Sequence, residues 1–317
     1  VANAENQHGS LEPVLRALEA AVRRKVRVRF LIDSGMAAKY LEDLSRLQAA
    51  GIDLRRIDLR ARTGGVSHAK YFIVDDRQAF IGSQNFDWRS LDHIHEMGAY
   101  VRSAQLVGEL SALFESDWAL AAGQVTSPPA TVAVNAEAGD DPLRLRLVYS
   151  PQALAEKDAW ELPRIVELIA QASRSVRIEV LVYRGPRSAQ DDTPMARIEA
   201  ALIAAAARGV TVDILLSDWM RREHNAGNLR GLAGHRGINV RIVSIPQAAS
   251  GEIPFARLIH AKYVVVDGQR FWLGSSNFED NYFTRSRNVG ILVENARLAR
   301  QLEGIFAVLW ESPYAGP

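Results

Sequence analysis

The chain has 317 residues, of which 48% are hydrophobic, and this length suffices for one large domain or two half-sized ones. Its formal net charge is +1, so composition neither favours nor excludes a polyanionic partner, and a basic binding face would have to be local. Cysteine is absent, which excludes disulfides, cysteine-ligated zinc and thiol nucleophiles. No apolar run reaches membrane-spanning length and the first residues lack signal-peptide character; the compartment is left open, with a secreted or periplasmic location included.

The first half of the chain alternates predicted helices with predicted strands. Leu11, Leu15 and Leu18 recur at helical spacing and predict an amphipathic helix. Apolar runs and turn residues predict the elements that follow. In order, we expect a helix over 11–24, a strand over 26–33, a helix over 36–50, strands over 51–59, 68–75, 79–85 and 97–102, and a helix over 103–121 that ends near Gly123.

The second half repeats this order after an additional strand, helix and strand over 143–150, 161–173 and 175–183. The equivalents of these three elements would lie before residue 1. Either the first half is truncated at its N-terminus, with further residues upstream, or its sheet is short. We expect truncation, because an exposed sheet centre invites aggregation. The repeated elements are a helix over 194–209, strands over 210–218, 237–245 and 288–293, and a helix over 296–310.

A polar motif occurs once in each half. Residues 67–85 are SHAKYFIVDDRQAFIGSQN, and residues 259–277 are IHAKYVVVDGQRFWLGSSN. The offset between the copies is constant at 192 residues and continues without a gap as far as Trp118 and Trp310. The matched pairs are His68/His260, Lys70/Lys262, Asp75/Asp267, Gly82/Gly274, Ser83/Ser275 and Asn85/Asn277.

The residue types of the motif predict an anion-binding cluster. Residues i and i+2 of a strand share a face, so His68 and Lys70 point the same way, as do their equivalents in the second copy. The pairs Asp75-Asp76 and Asp267-Gly268 predict hairpin turns that return a second apolar run beside the first. The asparagine then lies near the histidine and the lysine. Together they provide an imidazole, an ammonium and a carboxamide on neighbouring strands.

The pattern H-x-K-x-x-x-x-D, followed after six residues by G-S-x-N, resembles the signature of the phospholipase D superfamily, and both copies match it at every position. The flanks FDWRSLDHIHEMG and FEDNYFTRSRNVG are similar to those of a branch with endolysosomal single-strand exonucleases, the poxvirus envelope phospholipase and nicking-enzyme relatives. The resemblance covers nearly the whole chain except residues 124–142. Members of this branch differ in substrate.

Alternating strands and helices predict an α/β fold of two similar mixed-sheet half-domains, 1–123 and 143–317, joined by a linker over 124–142 that has no period. We expect the halves to pack about a pseudo-twofold axis with both motifs at the seam, so that one chain suffices for the active site.

The resemblance implies a phosphodiesterase that works through a covalent phosphohistidine, with no cofactor or metal. One of His68 and His260 would be the nucleophile, and the other would protonate the leaving group and then activate water. The phosphoryl oxygens would be held by Lys70, Lys262, Asn85 and Asn277, with Ser83, Ser275 and Asn288 as further substrate contacts.

The asymmetry between Glu96 and its equivalent Asn288 bears on which histidine attacks. A carboxylate that accepts from one ring nitrogen makes the other nitrogen more basic and fixes the tautomer. Glu96 follows the first motif, which favours His68 as nucleophile and His260 as acid. The alternative is that Glu96 serves the opposite histidine across the interface.

Other candidates have competing structural explanations. Asp75 and Asp267 are expected to act in turn chemistry or an ion pair rather than in catalysis. The aromatic residues just past the motifs either stack on bases or line the core: Phe86, Trp88, Phe278, Tyr282 and Phe283. His93, His95, His224 and His235 have no histidine at the equivalent position and are expected on the surface or in loops. The pair His93/His95 suggests a metal site, but no third ligand is apparent.

Three functions remain open on the sequence alone. The first is a nuclease for single-stranded nucleic acid, which the flanks and the aromatic residues favour. The second is a phospholipase D or phosphatidyltransferase similar to cardiolipin synthase, which would need an apolar acyl-chain groove beside the site. The third is a catalytically inactive binding module, which the two intact motifs disfavour.

Overall fold

The structure, a computed structural model, describes residues 9–138, 141–186, 188, 191–222 and 226–317. In the first half, helices and strands alternate as the sequence predicts. They are α1 (Leu11–Arg23), β1 (Arg29–Asp33), α2 (Ser34–Ala37), α3 (Leu41–Ala49), β2 (Asp53–Ile57), α4 (Arg60–Thr63), β3 (Tyr71–Val74), β4 (Gln78–Gly82), α5 (Trp88–Asp92), β5 (Gly98–Val101) and α6 (Ala104–Ala121).

The second half adds a strand, a helix and a strand before it repeats that order. Its elements are β6 (Val134–Ala138), β7 (Asp141–Ser150), α7 (Glu161–Ala170), β8 (Ser175–Val180), α8 (Pro194–Ala207), β9 (Thr211–Ser217), α9 (Ala226–Ala233), β10 (Ile238–Val243), β11 (Tyr263–Val266), β12 (Arg270–Gly274), α10 (Asp280–Thr284), β13 (Asn288–Glu294), α11 (Ala296–Trp310) and β14 (Ala315–Gly316).

Three long helices begin at residues whose side chains cap them. The side-chain oxygens of Ser103, Thr193 and Asn295 each accept a hydrogen bond from the backbone N–H three residues on, at the start of α6, α8 and α11. Such a cap satisfies a donor that the helix cannot satisfy itself. Just past the end of α6, Gly123 has φ +81°, a left-handed conformation that glycine adopts without steric cost.

The second half is built on a mixed sheet of nine strands in the order β14-β10-β9-β8-β11-β12-β13-β7-β6. The strand β8 lies at its centre, parallel to β9 and antiparallel to β11. One face of the sheet packs against α7 and α8. The other face packs against α6 and α11 and shares its buried cluster with β4 of the first half, so that the two halves have one continuous core there.

The first half has smaller sheets. Parallel β1 and β2 form one pair, and antiparallel β3, β4 and β5 form another sheet. By the repeat, β1 is equivalent to β9 and β3 to β11, yet no described strand lies between β1 and β3 where the second half has β8. The mixed α/β architecture is therefore confirmed, with unequal sheets in the two halves.

Each motif forms a hairpin, as predicted. Asp75 and Asp76 have φ of 54° and 52°, and Asp267 and Gly268 have φ of 56° and 62°. Aspartate and glycine tolerate this left-handed region better than other residues do. The carboxylate of Asp267 also accepts hydrogen bonds from the backbone N–H of residues 173–175, which ties the hairpin to the start of β8 and gives this residue a structural task.

Two predicted elements differ from the structure. The helix expected over 36–50 is two helices, because α2 is capped by Asp33 and ends at Ala37, and the backbone of Tyr40 (φ −128°) leaves helical geometry before α3. The region 124–142, expected to be an irregular linker, contains β6, which pairs with the outer edge of β7. An open strand edge is a ready partner for a neighbouring segment, and the buried Val134 anchors the pairing.

Candidate active site

Backbone hydrogen bonds join the halves at two equivalent places. The N–H of His68 donates to the carbonyl of Arg287 (2.8 Å), and the N–H of Arg287 donates to the carbonyl of Val66 (2.9 Å). At the equivalent place, the N–H of His260 donates to the carbonyl of His95 (2.8 Å), and the N–H of His95 donates to the carbonyl of Leu258 (3.0 Å). Both motif histidines therefore lie on the seam itself.

The lysines of the motifs lie just before β3 and β11 and turn back toward the histidines. Nζ of Lys70 donates to the carbonyl of His68 (2.6 Å), and Nζ of Lys262 donates to the carbonyl of His260. Both lysines are buried, with Lys262 wholly so. Burial lowers the pKa of Lys70 well below its usual range and that of Lys262 to about 7, although the nearby carboxylates oppose the shift. A buried cation without a full counter-charge is suited to an anionic ligand.

The histidines are held by residues of the opposite half. Nδ1 of His260 lies 2.9 Å from both carboxylate oxygens of Glu96, and Nδ1 of His68 lies 3.1 Å from Oδ1 of Asn288. The expectation that Glu96 orients His68 is therefore wrong, and the alternative across the interface is the correct one. The error arose because sequence adjacency places Glu96 beside the first motif, whereas the seam turns its side chain toward the second.

The serines of the two motifs lie behind these partners. Oγ of Ser83 donates to Glu96 (2.5 Å), and Oγ of Ser275 donates to Oδ1 of Asn288 (3.1 Å). Both serines are completely buried, as is Asn288. The sequence suggested these three residues as substrate contacts, but the structure commits their polar groups to positioning the imidazoles.

The hydrogen bonds fix which nitrogen of each imidazole carries a proton. Nδ2 of Asn288 donates to the carbonyls of Tyr282 (2.9 Å) and Ser286 (3.2 Å), so its Oδ1 must accept from Nδ1–H of His68. Glu96 likewise accepts from Nδ1–H of His260. Each neutral ring is then left with a lone pair on Nε2, the atom that can attack phosphorus or take a proton.

The charges of the site favour this neutral state. Burial, followed by the charges of Lys70 and Lys262, lowers the pKa of His68 well below its usual range. Burial and Lys262 also lower the pKa of His260, to about 4, against the opposing pull of Glu96. For Glu96, burial alone would raise the pKa, but His260, Lys262 and the Ser83 hydroxyl outweigh it and bring the pKa to about 2. Glu96 is ionised and both imidazoles are uncharged when no phosphate is bound.

The motif asparagines occupy different environments. Asn277 is buried, and its Oδ1 has no hydrogen-bond partner among the described residues. Asn85 is partly exposed and lines a cleft together with His68 and Lys70. The site thus brings together His68, Lys70 and Asn85 from one half with His260, Lys262 and Asn277 from the other.

The family described as "Cardiolipin synthase, PLD-like domain" matches residues 8–118 and 165–310, which hold both motifs and make up more than half of the chain. The chain belongs to the phospholipase D superfamily. Membership, together with the two intact motifs, makes it a phosphodiesterase of that superfamily.

Two relatives and one solved structure illustrate the similarity. The virion nicking-joining enzyme of Vaccinia virus (strain Western Reserve) is 31% identical over 330 aligned positions, which cover 95% of this chain and 76% of that protein. The 5'-3' exonuclease PLD3 of Homo sapiens is 28% identical over 342 positions, which cover 96% of this chain and 67% of that protein. Phosphatidylserine synthase of Haemophilus influenzae Rd KW20 superposes with a TM-score of 0.68 at 16% identity, over 96% of this chain and 77% of that one, a likeness of fold.

The aromatic residues around this phospholipase D site divide into two groups. Phe278 and Phe283 are completely buried in the core with α7 and α8, so neither is available to stack on a base, whereas Trp88 packs beside α1 and is only partly buried. Phe86 remains 41% exposed. The ring of Tyr282 meets the ring of His68 edge to face, with centroids 4.9 Å apart.

The remaining histidines are placed as follows. His235 is exposed, as expected, and His224 lies outside the described residues. His95 is not a surface residue: its Nε2 is buried, 3.3 Å from Oε1 of Glu179 on β8. The constant offset carries the signal that sequence reasoning missed, because it matches His95 with Arg287, a buried basic residue at the seam. In the described part of the chain, no group of three acidic or histidine side chains could hold a metal ion.

An apolar cleft of about 300 Å³ opens beside the first motif. It lies between β1 and the segment 66–70, where the second half has β8. His68, Lys70 and Asn85 form its polar end. Its apolar lining includes Leu11, Val14, Leu18, Phe30, Met36 and Phe86. No pattern in the sequence predicts this cleft.

None of the described helices is long and apolar enough to span a membrane.

Proposed function

We propose that the chain is a nuclease that cleaves single-stranded nucleic acid without a metal ion, through a phosphohistidine on His260. The contact between Glu96 and Nδ1 of His260 carries the assignment of the nucleophile. An ionised carboxylate on one ring nitrogen raises the basicity of the other, whereas the neutral amide of Asn288 gives His68 no comparable help. The nucleophile is therefore the opposite histidine from the one the sequence favoured.

The reaction runs in two displacements. Nε2 of His260 attacks phosphorus, the bond to the leaving oxygen breaks, and that oxygen takes a proton from Nε2 of His68. His68 takes up this Nε2 proton from solvent when the substrate binds, because the negative phosphate offsets the burial and the lysine charges that lower its pKa in the empty site. Water then gives a proton back to His68 and attacks phosphorus, which breaks the phosphorus–nitrogen bond and frees His260.

The two lysines and two asparagines stabilise the phosphoryl oxygens in both steps. Lys70 and Lys262 provide two positive charges within a buried site, where electrostatic interactions are stronger than in water. Asn277, with its buried carboxamide, and Asn85, at the cleft, add neutral donors. These four residues and His68 supply the charge neutralisation and proton transfer for which other phosphodiesterases use two metal ions.

The choice of nucleic acid as substrate is supported by the relatives, which are named as a nicking-joining enzyme and a 5'-3' exonuclease. A phosphate must enter a seam between two halves with chain attached to it, and a single strand bends more readily than a duplex. The exposed ring of Phe86 beside Asn85 offers a face for a base, and stacking of this kind contributes about 1–3 kcal/mol per base.

The test is a parallel assay in EDTA against a labelled single-stranded oligonucleotide, the same strand in a duplex, and bis(p-nitrophenyl) phosphate. We expect turnover of the single strand in preference to the duplex, and hydrolysis of the small ester with no added metal. Phe86→Leu should slow oligonucleotide cleavage more than cleavage of the small ester. Activity that EDTA abolishes and magnesium restores would refute the metal-independent mechanism.

A second candidate, cleavage of phospholipid head groups, is favoured by the match to the family described as "Cardiolipin synthase, PLD-like domain". The same catalytic residues would serve. Rapid release of head groups from phosphatidylglycerol vesicles, with no cleavage of oligonucleotides under the same conditions, would replace the nuclease proposal with this one.

A further inference from the structure

His95 lies on the seam, one residue before Glu96, and its backbone forms hydrogen bonds with the segment that carries the motif histidine of the other half. Its carbonyl accepts from the N–H of His260 (2.8 Å) and from that of Ala261 (3.1 Å), while its own N–H donates to Leu258. A shift of His95 would therefore displace both the backbone of His260 and the backbone of Glu96, from which the carboxylate side chain extends.

The side chain of His95 is anchored in the central sheet. Its Nε2 lies 3.3 Å from Oε1 of Glu179 on β8, and Oε2 of Glu179 accepts from the hydroxyl of Tyr263 at 2.7 Å. Glu179 is completely buried. This 3.3 Å contact is an ion-pair distance, and neither Nε2 of His95 nor Oε1 of Glu179 has a hydrogen-bond partner among the described residues. A buried carboxylate costs stability unless it is paired, so the two groups depend on each other.

The pseudo-twofold repeat contains the same arrangement a second time. The offset of 192 residues takes His95 to Arg287 and Glu96 to Asn288. Arg287 contacts the buried carboxylate of Asp117 at 2.9 Å, and its carbonyl accepts from the N–H of His68. In both halves, a basic residue in contact with a buried carboxylate immediately precedes the residue that accepts from a motif imidazole.

We propose that His95 and Glu179 form a positioning pair that holds Glu96 against Nδ1 of His260 and so prepares Nε2 of His260 for attack. Burial alone would lower the pKa of His95, but the hydrogen bond and charge of Glu179 outweigh it and raise the pKa, in keeping with a cation at this position. The role of the pair in catalysis rests on the proposed function, in which His260 is the nucleophile; its geometric part does not.

The experiment compares His95→Ala, His95→Arg and Glu179→Gln on bis(p-nitrophenyl) phosphate. A misplaced Glu96 should lower kcat of His95→Ala and Glu179→Gln roughly 10–100-fold, the range seen when a residue that orients a ligand side chain is lost, with little change in KM. His95→Arg copies Arg287 and should recover part of the loss. His93→Ala is the matched control from the same loop and should leave kcat unchanged. Thermal unfolding of each variant identifies any that fails to fold.

A second measurement does not depend on activity. Nitrogen-15 NMR of the histidine rings reports whether the proton of His260 stays on Nδ1. We expect a fixed Nδ1–H tautomer in the wild type and in His95→Arg, and a mixture of tautomers in His95→Ala. If His95→Ala is merely less stable, with kcat and the His260 tautomer both unchanged, the pair is only structural and the proposal is wrong. If the wild type hydrolyses no phosphodiester, the proposed function fails while the NMR result still decides the geometric claim.

Discussion

Glu96 and Asn288 give the two motif histidines different chemistry at equivalent positions. The ionised carboxylate of Glu96 accepts a hydrogen bond from Nδ1 of His260, and the neutral amide of Asn288 accepts one from Nδ1 of His68. Ser83 and Ser275 support them in the same way, so the residues differ in charge while their geometry is shared. In the proposed mechanism, this single amino-acid difference between the repeats divides a symmetric site into a nucleophile and an acid.

Glu96→Gln should reduce the rate of His260 phosphorylation roughly 10–100-fold, because the amide keeps the contact but gives the ring less basicity. Asn288→Ala acts on His68, so it should matter little when the leaving group needs no proton. The measurement is single-turnover release of p-nitrophenol from bis(p-nitrophenyl) phosphate, compared with cleavage of an oligonucleotide. If Asn288→Ala slows p-nitrophenol release more than Glu96→Gln does, the two roles are reversed.

The pH profile for bis(p-nitrophenyl) phosphate, whose leaving group needs no proton from His68, follows from His260 and Lys262. His260 must be neutral to attack, and its pKa of about 4 requires kcat/KM to rise as the pH climbs through that value. Lys262 must be charged to hold phosphate, and its pKa of about 7 requires kcat/KM to fall as the pH climbs through that value. We expect a maximum between the two. Lys262→Arg should extend the falling limb to higher pH, and a wild-type profile that is flat from pH 7 to 9 would contradict this account.

At the scale of elements, the seam is stabilised by contacts in which each half provides one of the two partners. Helix α6 of the first half supplies Asp117, and the turn before β13 of the second half supplies Arg287, which also donates to the carbonyls of Ser150 and Leu154. Both members of the ion pair are almost completely buried. The guanidinium therefore cross-links α6 to β7 while its backbone holds His68.

Asp117→Asn should lower the free energy of unfolding by about 3–5 kcal/mol, because it leaves the guanidinium of Arg287 buried without a counter-charge. Denaturant titration measures this. The control is Glu294→Gln, which removes the partner of Arg144 from an ion pair that is about half exposed. That change should stay within about 1 kcal/mol. Similar losses in the two variants would show that the seam does not rest on the Arg287–Asp117 pair.

Local pattern was enough to predict most elements and the motif residues, but not the contacts across the seam. Alternation and turn residues placed the hairpins correctly, since those features depend on a few adjacent residues. The partner of Glu96 depends instead on a bridge between residues 95 and 259, which no local pattern encodes. The burial of Phe278, against the exposure of its equivalent Phe86, likewise depends on packing in the core that holds α7, a helix with no counterpart among the described elements of the first half.

For the whole molecule, the two halves meet in one buried core, and each contributes residues to the candidate site. They share a buried cluster that runs from β4 and α6 to the central sheet, and each histidine takes its partner from the other half. One chain contains both imidazoles, both lysines and both asparagines of the site. The unequal sheets do not disturb this arrangement, because the residues at the seam keep the 192-residue offset throughout.

In the candidate site, each motif histidine contacts a residue of the opposite half. The most direct test of this site is to identify which histidine becomes phosphorylated. The enzyme is mixed with bis(p-nitrophenyl) phosphate, quenched in alkali during the first turnover, and digested for mass spectrometry of the phosphohistidine peptides. The account predicts an adduct on His260 in the wild type and in His68→Ala, where the good leaving group needs no acid, and none in His260→Ala. An adduct on His68, retained in His260→Ala, would contradict it.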